Sequence, residues 1–260
     1  MSTQSGGLVG RIQQQSNVSL DNFIQIGIIT GSSIDIGGIY GIVDSSVVTI
    51  SNIQTNITMQ GNNTDTGGVI GRVRSSTATL ENATIVSNIH GTDDTGGAFG
   101  SVESTSTVLV EKVEISGGIS FNGDEKLGGL IGSFNNSTGN FDQITNSSIV
   151  DNTSGGRYIG GIFGMVSSST VTLSSITHDA LMPNINNTTY AGGIIGRIQS
   201  SSLINGMDIF AYNTGISNQT NTYRGTLIGA IAAGGGTVTF VNYSDGDSVS
   251  NNEIGDGTIN

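Results

Sequence analysis

The chain has 260 residues, with 41 Gly, one Pro, no Cys, no Trp and a formal net charge of −12. Nucleic acid and anionic membranes need Lys and Arg to neutralise them, so this composition argues against both as unassisted partners. Without cysteine there are no disulfides or thiolate-ligated metals, and no stretch reaches the roughly 18 apolar residues of a membrane span.

The first element along the chain is Gly6-Gly7-Leu8-Val9-Gly10, and it recurs. Copies stand at 37–41, 67–71, 96–100, 128–132, 160–164 and 192–196, and a weakened one is Gly225-Thr226-Leu227-Ile228-Gly229. Successive final glycines lie 31, 30, 29, 32, 32, 32 and 33 residues apart. A period of this size means stacked repeats, so residues 1–260 are expected to form one unit, with repeats starting near 6, 37, 67, 96, 128, 160, 192 and 225. Ser, Thr and Asn fill much of the remainder. The regular return of Ile and Val argues against disorder.

Each repeat reads as three extended segments. The first runs through the glycine motif, as from Gly67 to Val73, and ends in a small polar turn such as Ser45-Ser46 or Asn135-Asn136-Ser137. The second alternates apolar and polar residues, as in Val48/Ile50 and Val171/Leu173, which is the period of a half-buried strand. Three residues later comes another apolar residue (Ile53, Ala83, Ile176), a step that marks a corner or bulge. Asn22, Asn52, Asn82 and Asn242 stand just before it, with Gly206 assigned that place in another repeat, and both types tolerate a left-handed bend. The third segment continues in steps of two to a turn residue such as Gly61 or Gly91. The expected fold is all-β, a parallel β-solenoid (β-helix) of about eight coils. Each coil has about 30 residues in three short strands, and right-handed winding is the default for parallel crossovers.

The motif resembles the GLUG repeat, a short Gly-Leu-hydrophobic-Gly sequence. That repeat occurs in tandem in large surface and secreted proteins, including adhesin-like proteins and bacterial IgA-specific metalloproteases. Gly7-Leu8-Val9-Gly10 and Gly129-Leu130-Ile131-Gly132 match it directly, and Gly38-Ile39-Tyr40-Gly41 and Gly161-Ile162-Phe163-Gly164 are close variants. The resemblance implies an extracellular or cell-surface stalk or adhesive array. It brings no catalytic residues, and the metalloprotease zinc motif His-Glu-x-x-His is absent.

Stacked coils turn equivalent positions into columns. One expected ladder runs Asp35, Asp65, Asp94, Lys126, Tyr158, Tyr190, Tyr223. Its acids could hold Ca²⁺, which takes several oxygen ligands, or could be solvated turns. Its tyrosines could bind a glycan or pack coil on coil. A second column is Val9, Tyr40, Ile70, Phe99, Ile131, Phe163, Ile195 and Ile228, directly after a column that is also apolar. Neighbouring strand residues face opposite ways, so the second column is expected to form an external interface for lateral association. The alternative is that the double glycine twists both columns inward. Asn17, Asn56, Asn62, Asn82, Asn146, Asn152, Asn187, Asn218 and Asn242 are candidate glycosylation acceptors in Asn-x-Ser/Thr sequons.

No catalytic constellation is expected. His90 and His178, the two histidines, fall in different repeats, and Arg11, Arg72, Arg74 and Arg197 look scattered. Thr49, Thr79, Thr107 and Thr172 are expected to miss a common register, which argues against an ice-binding array. A partial cap over a looser last coil is expected from Gly234-Gly235-Gly236 and the acidic tail. The functional expectation is a non-enzymatic structural or adhesive module that associates with itself, laterally or end to end, or with neighbouring surface proteins. A carbohydrate-binding or carbohydrate-active solenoid is the alternative.

Overall fold

The computed structural model describes residues 4–30, 34–60, 64–121, 125–152, 156–183, 188–216 and 223–244. Three parallel sheets wind into a β-solenoid with about 31 residues per turn and, among the described residues, no helix. Sheet A stacks three-residue strands: β1 (Gln4–Gly6), β4 (Asp35–Gly37), β7 (Asp65–Gly67), β10 (Asp94–Gly96), β13 (Lys126–Gly128), β17 (Tyr158–Gly160), β20 (Tyr190–Gly192) and β23 (Tyr223–Gly225). Sheet B stacks β2 (Val9–Ile12), β5 (Tyr40–Asp44), β8 (Ile70–Arg74), β11 (Phe99–Glu103), β14 (Ile131–Asn135), β18 (Phe163–Ser167), β21 (Ile195–Gln199) and β24 (Ile228–Ile231). Sheet C holds the long strands β3 (Asn17–Thr30), β6 (Val47–Gln60), β9 (Thr77–Gly91) and β12 (Thr107–Phe121). Beyond them come β15 (Thr138–Asn146), β19 (Thr170–Asp179), β22 (Ser202–Tyr212) and β25 (Gly236–Ser244), with β16 (Ile149–Asn152) paired to β12.

Three strands per coil were expected, but the chain divides them differently. The glycine motif is a corner between two strands, and the second and third segments form one long strand in most coils. The step of three is a bulge inside that strand. Its backbone is left-handed at Asn22, Asn52, Asn82, Lys112, Gln143, Ser175, Asp208 and Asn242. In the seventh coil the bulge therefore sits at Asp208, two residues beyond Gly206: register pairs Leu173 with Gly206 and Ile176 with Ile209.

The motif glycines are required by space. None of the described ones has a positive φ. A Cβ on Gly38 would collide with the Gly68 carbonyl of the next coil, and one on Gly41 with backbone of the preceding coil. Sheets A and B thus pack backbone on backbone. The weakened copy fits this rule. The second motif glycine is pressed by the following coil, as Gly193 is by the carbonyl of Thr226. Among the described residues no coil follows Thr226, and a side chain is accommodated there.

The main core lies between the motif corner, sheet B and the first part of sheet C, with Ile39, Tyr40, Val43, Val48, Ile50 and Ile53 in one coil. A second cluster (Ile36, Met59, Ile89, Leu127, Ile159) fills the space between sheet A and the far part of sheet C. Phe134, Phe141 and Phe163 meet edge to face, with centroids 5.1–6.1 Å apart. The space for Phe141 comes from Gly139, which stands in register with Val108 and Val171.

Candidate functional site

The expected ladder exists in register. Gln4, Asp35, Asp65, Asp94, Lys126, Tyr158, Tyr190 and Tyr223 pair one above another through sheet A. Sequence reading missed its companion column on sheet B: Arg11, Ile42, Arg72, Ser101, Ser133, Met165, Arg197 and Ala230. The corner folds the two columns toward each other, so Arg72 and Arg197, two of the arginines that look scattered along the chain, meet the ladder. Arg72 Nε donates to Asp65 Oδ2 at 2.6 Å and lies 3.0 Å from Asp35 Oδ1. Lys126 Nζ donates to Asp94 Oδ1 at 2.7 Å.

Both carboxylates are largely desolvated. Burial pushes Asp65 up to about 8, against the opposing charge of Arg72. Burial pushes Asp94 up to about 6, against Lys126. Among the described residues no cluster of three or more His, Asp or Glu could hold a metal. Here the carboxylates face protein cations, an arrangement ill-suited to Ca²⁺.

Tyr158 and Tyr190 stack at 5.4 Å, and Tyr190 and Tyr223 at 4.9 Å. The Arg197 guanidinium sits 4.1 Å from the Tyr190 ring centroid. The ring faces are directed at one another and at this arginine, the packing of a coil-to-coil stabiliser.

The expected external interface is corrected. Tyr40, Ile70, Phe99, Ile131, Phe163, Ile195 and Ile228 are buried in the main core, and only Val9, on the first coil, is exposed. Strand alternation fails at this place because the chain turns. The N–H groups of Ile39 and Tyr40 both donate to the Val69 carbonyl, at 2.9 and 3.0 Å, so both side chains face inward.

A second ladder holds the corner between sheets B and C. The N–H of Ser46 donates to Ser76 Oγ at 3.1 Å, that of Ser76 to Ser106 Oγ at 3.2 Å, and that of Ser106 to Ser137 Oγ at 3.2 Å. Ser137 donates likewise to Ser169, and Ser169 to Ser202. Each hydroxyl in turn donates to a carbonyl of its own turn, as Ser106 does to Glu103. Beside it Asp44 accepts from Arg11 at 2.8 Å and from Arg74 at 2.6 Å.

The sequons divide. Asn17, Asn56, Asn82 and Asn242 are exposed, although Asn82 Nδ2 donates to Asn52 and Asn242 Nδ2 to Asp208. Asn146 is fully buried and is corrected as an acceptor: its Nδ2 donates to the Gly161 carbonyl and stands 3.1 Å from His178 Nδ1. Asn62, Asn187, Asn218 and the side chain of Asn152 lie outside the described residues. His178 is sealed in the core, and burial lowers it to about 4. His90 Nδ1 lies 2.9 Å from Ser120 Oγ, a separate setting.

Outward on sheet C, Thr49, Thr79 and Thr172 share one column, while Thr107 joins Thr77, Thr138 and Thr170 in the next. The bulge forms an open polar groove across four coils, lined by Asn82, Thr84, Lys112, Glu114, Gln143 and Ser175. No protein family, curated protein or solved structure matches the chain.

Proposed function

We propose that the chain is a non-enzymatic structural or adhesive module of a cell-surface or extracellular assembly, and that it associates with itself. The observation that carries this reading is the internal use of its repeated polar side chains. Arg72 and Lys126 meet the acids, the tyrosines stack on each other, and the serines bond coil to coil. Such ladders make a stiff rod, because each coil is held by its neighbours over the whole width of three sheets. Burial of the motif column rules out lateral association through that column, and contact through another lateral face or end to end remains the proposed mode. The exposed sequons Asn17 and Asn56 suit a glycosylated surface protein.

The groove along the bulge supports a second reading, carbohydrate binding, because amide, hydroxyl and charged groups line it over several coils. A glycan array together with negative-stain imaging separates the two. Assemblies without a glycan hit support the structural reading. A glycan bound by the wild type and lost in Lys112→Ala/Gln143→Ala supports the groove, and turnover of that glycan would overturn the non-enzymatic reading.

A further inference from the structure

The outward face of sheet C ahead of the bulge carries two threonine columns. In the first, Thr77, Thr107, Thr138 and Thr170 stand on successive coils, with Thr237 farther along on β25. In the second, Thr49 and Thr79 stack, and Thr172 and Thr239 return beyond them. The sequence suggests threonines out of register, but sheet C places them in two rows, two residues apart on each strand. Leu109 and Asn140 interrupt the second row, and Val47 and Leu203 stand in the first.

No position of either column, from β3 to β25, is buried or charged. The chain as a whole has a net charge of −12, and the next outward column carries Asp21, Glu81, Glu111 and Asp142. Strand propensity accounts for threonine on an exposed sheet, but not for the exclusion of charge from two whole columns. The serines of the nearby corner use their hydroxyls between coils, whereas these threonine hydroxyls bond to no described residue. A shallow groove separates Thr107, Thr138 and Thr170 from the turn residues Thr105, Asn136 and Ser168, which leaves the first row open to water.

Spacing selects the ligand. Stacked strands lie about 4.8 Å apart, and alternate residues along a strand about 6.7 Å apart. The prism face of hexagonal ice repeats its oxygens at close to these two distances, at right angles. A β-branched side chain is stiff at χ1, so hydroxyl and methyl repeat from coil to coil with little entropy left to lose. No aromatic ring stands in either column, so the flat surface on which a sugar ring stacks is missing.

We propose that this face binds ice, its threonine hydroxyls and methyls holding a layer of ordered water that merges with the crystal lattice. This goes beyond the structural and adhesive reading and does not depend on self-association.

Slow freezing of a solution of the full chain tests it, by comparing protein in the ice with protein left in the liquid. The wild type is expected to enter the ice and to facet single crystals held just below the melting point. Thr138→Lys/Thr170→Lys/Thr172→Lys, with the circular dichroism of the wild type, is expected to stay in the liquid. Gln54→Lys/Asn56→Lys/Thr58→Lys, of equal charge but beyond the bulge of β6, is expected to enter the ice. Leu109→Thr/Asn140→Thr completes the second row from β6 to β19 and should widen the gap between melting and freezing points. That gain does not depend on the lysine variant folding. A wild type rejected by ice, a threonine-row lysine variant that still enters it, or a completed row with no wider gap overturns the proposal. Capture on crystalline cellulose or chitin in place of ice assigns the face to a polysaccharide and overturns it too.

Discussion

Arg72 on β8 donates to Asp65 on β7 at 2.6 Å, bridging two sheets across a corner. The same guanidinium lies 3.0 Å from Asp35 and 3.9 Å from Glu103. One cation thus faces several acids in a desolvated column, and burial raises Asp65 to about 8 and Asp94 to about 6, from 3.8 in the open chain. Groups raised in the folded state bind their proton more tightly there. Their contribution to stability is full below about pH 4 and is lost as pH rises through about 6 for Asp94 and 8 for Asp65. Asp44 works the opposite way: the hydrogen bond from Arg74 lowers it, so its contribution is present at neutral pH and is lost on acidification. Calorimetry should therefore show Tm falling by at least ~3 °C between pH 5 and pH 8.5. Asp65→Asn/Asp94→Asn should flatten that slope. A Tm that climbs over this interval would contradict the buried-acid column.

The serine ladder carries a different prediction. Ser106 accepts from the Ser76 N–H at 3.2 Å and donates to the Glu103 carbonyl at 2.6 Å, and it is 1% exposed. Ser106→Ala leaves a buried N–H and a carbonyl unpaired and should cost about 1–3 kcal/mol in urea unfolding. Ser104, also in this turn but outside the ladder, should tolerate alanine within about 0.5 kcal/mol. Equal effects at the two sites would mean the ladder contributes nothing.

Phe163 decides between an inward and an outward motif column. It packs 5.1 Å from Phe141 and is fully buried. Phe163→Ala should destabilise by about 3–5 kcal/mol, and a charged residue there should abolish folding. If the column faced outward, as its place in the sequence suggests, the same changes would leave circular dichroism and Tm unchanged.

These outcomes mark what sequence conveys about such a fold. The period was legible, as was the bulge at Asn22, Asn52, Asn82 and Asn242, because Asn tolerates the left-handed region. Lys112, Gln143 and Ser175 adopt the same conformation without that signal, forced by register with their neighbours. The direction of Tyr40 and Phe99 was misread because alternation holds along a strand, and these residues follow a turn. Arg72 and Asp65 were not paired, since their meeting depends on how tightly glycine lets sheets A and B approach. Asn146 satisfies a glycosylation pattern, yet it is spent on the Gly161 carbonyl in the core.

The central claim is that the glycine motif is an internal seam where backbone meets backbone. It is tested most directly by giving one seam glycine a methyl group and comparing a glycine with open space. A Cβ on Gly161 would strike the Gly193 carbonyl and the His178 ring, whereas a Cβ on Gly27 meets nothing within 4 Å. In urea unfolding Gly161→Ala is expected to lose more than about 3 kcal/mol, and Gly27→Ala to match or exceed wild type by up to about 1 kcal/mol. Equal stability of the two variants would contradict the seam and return the motif to the surface.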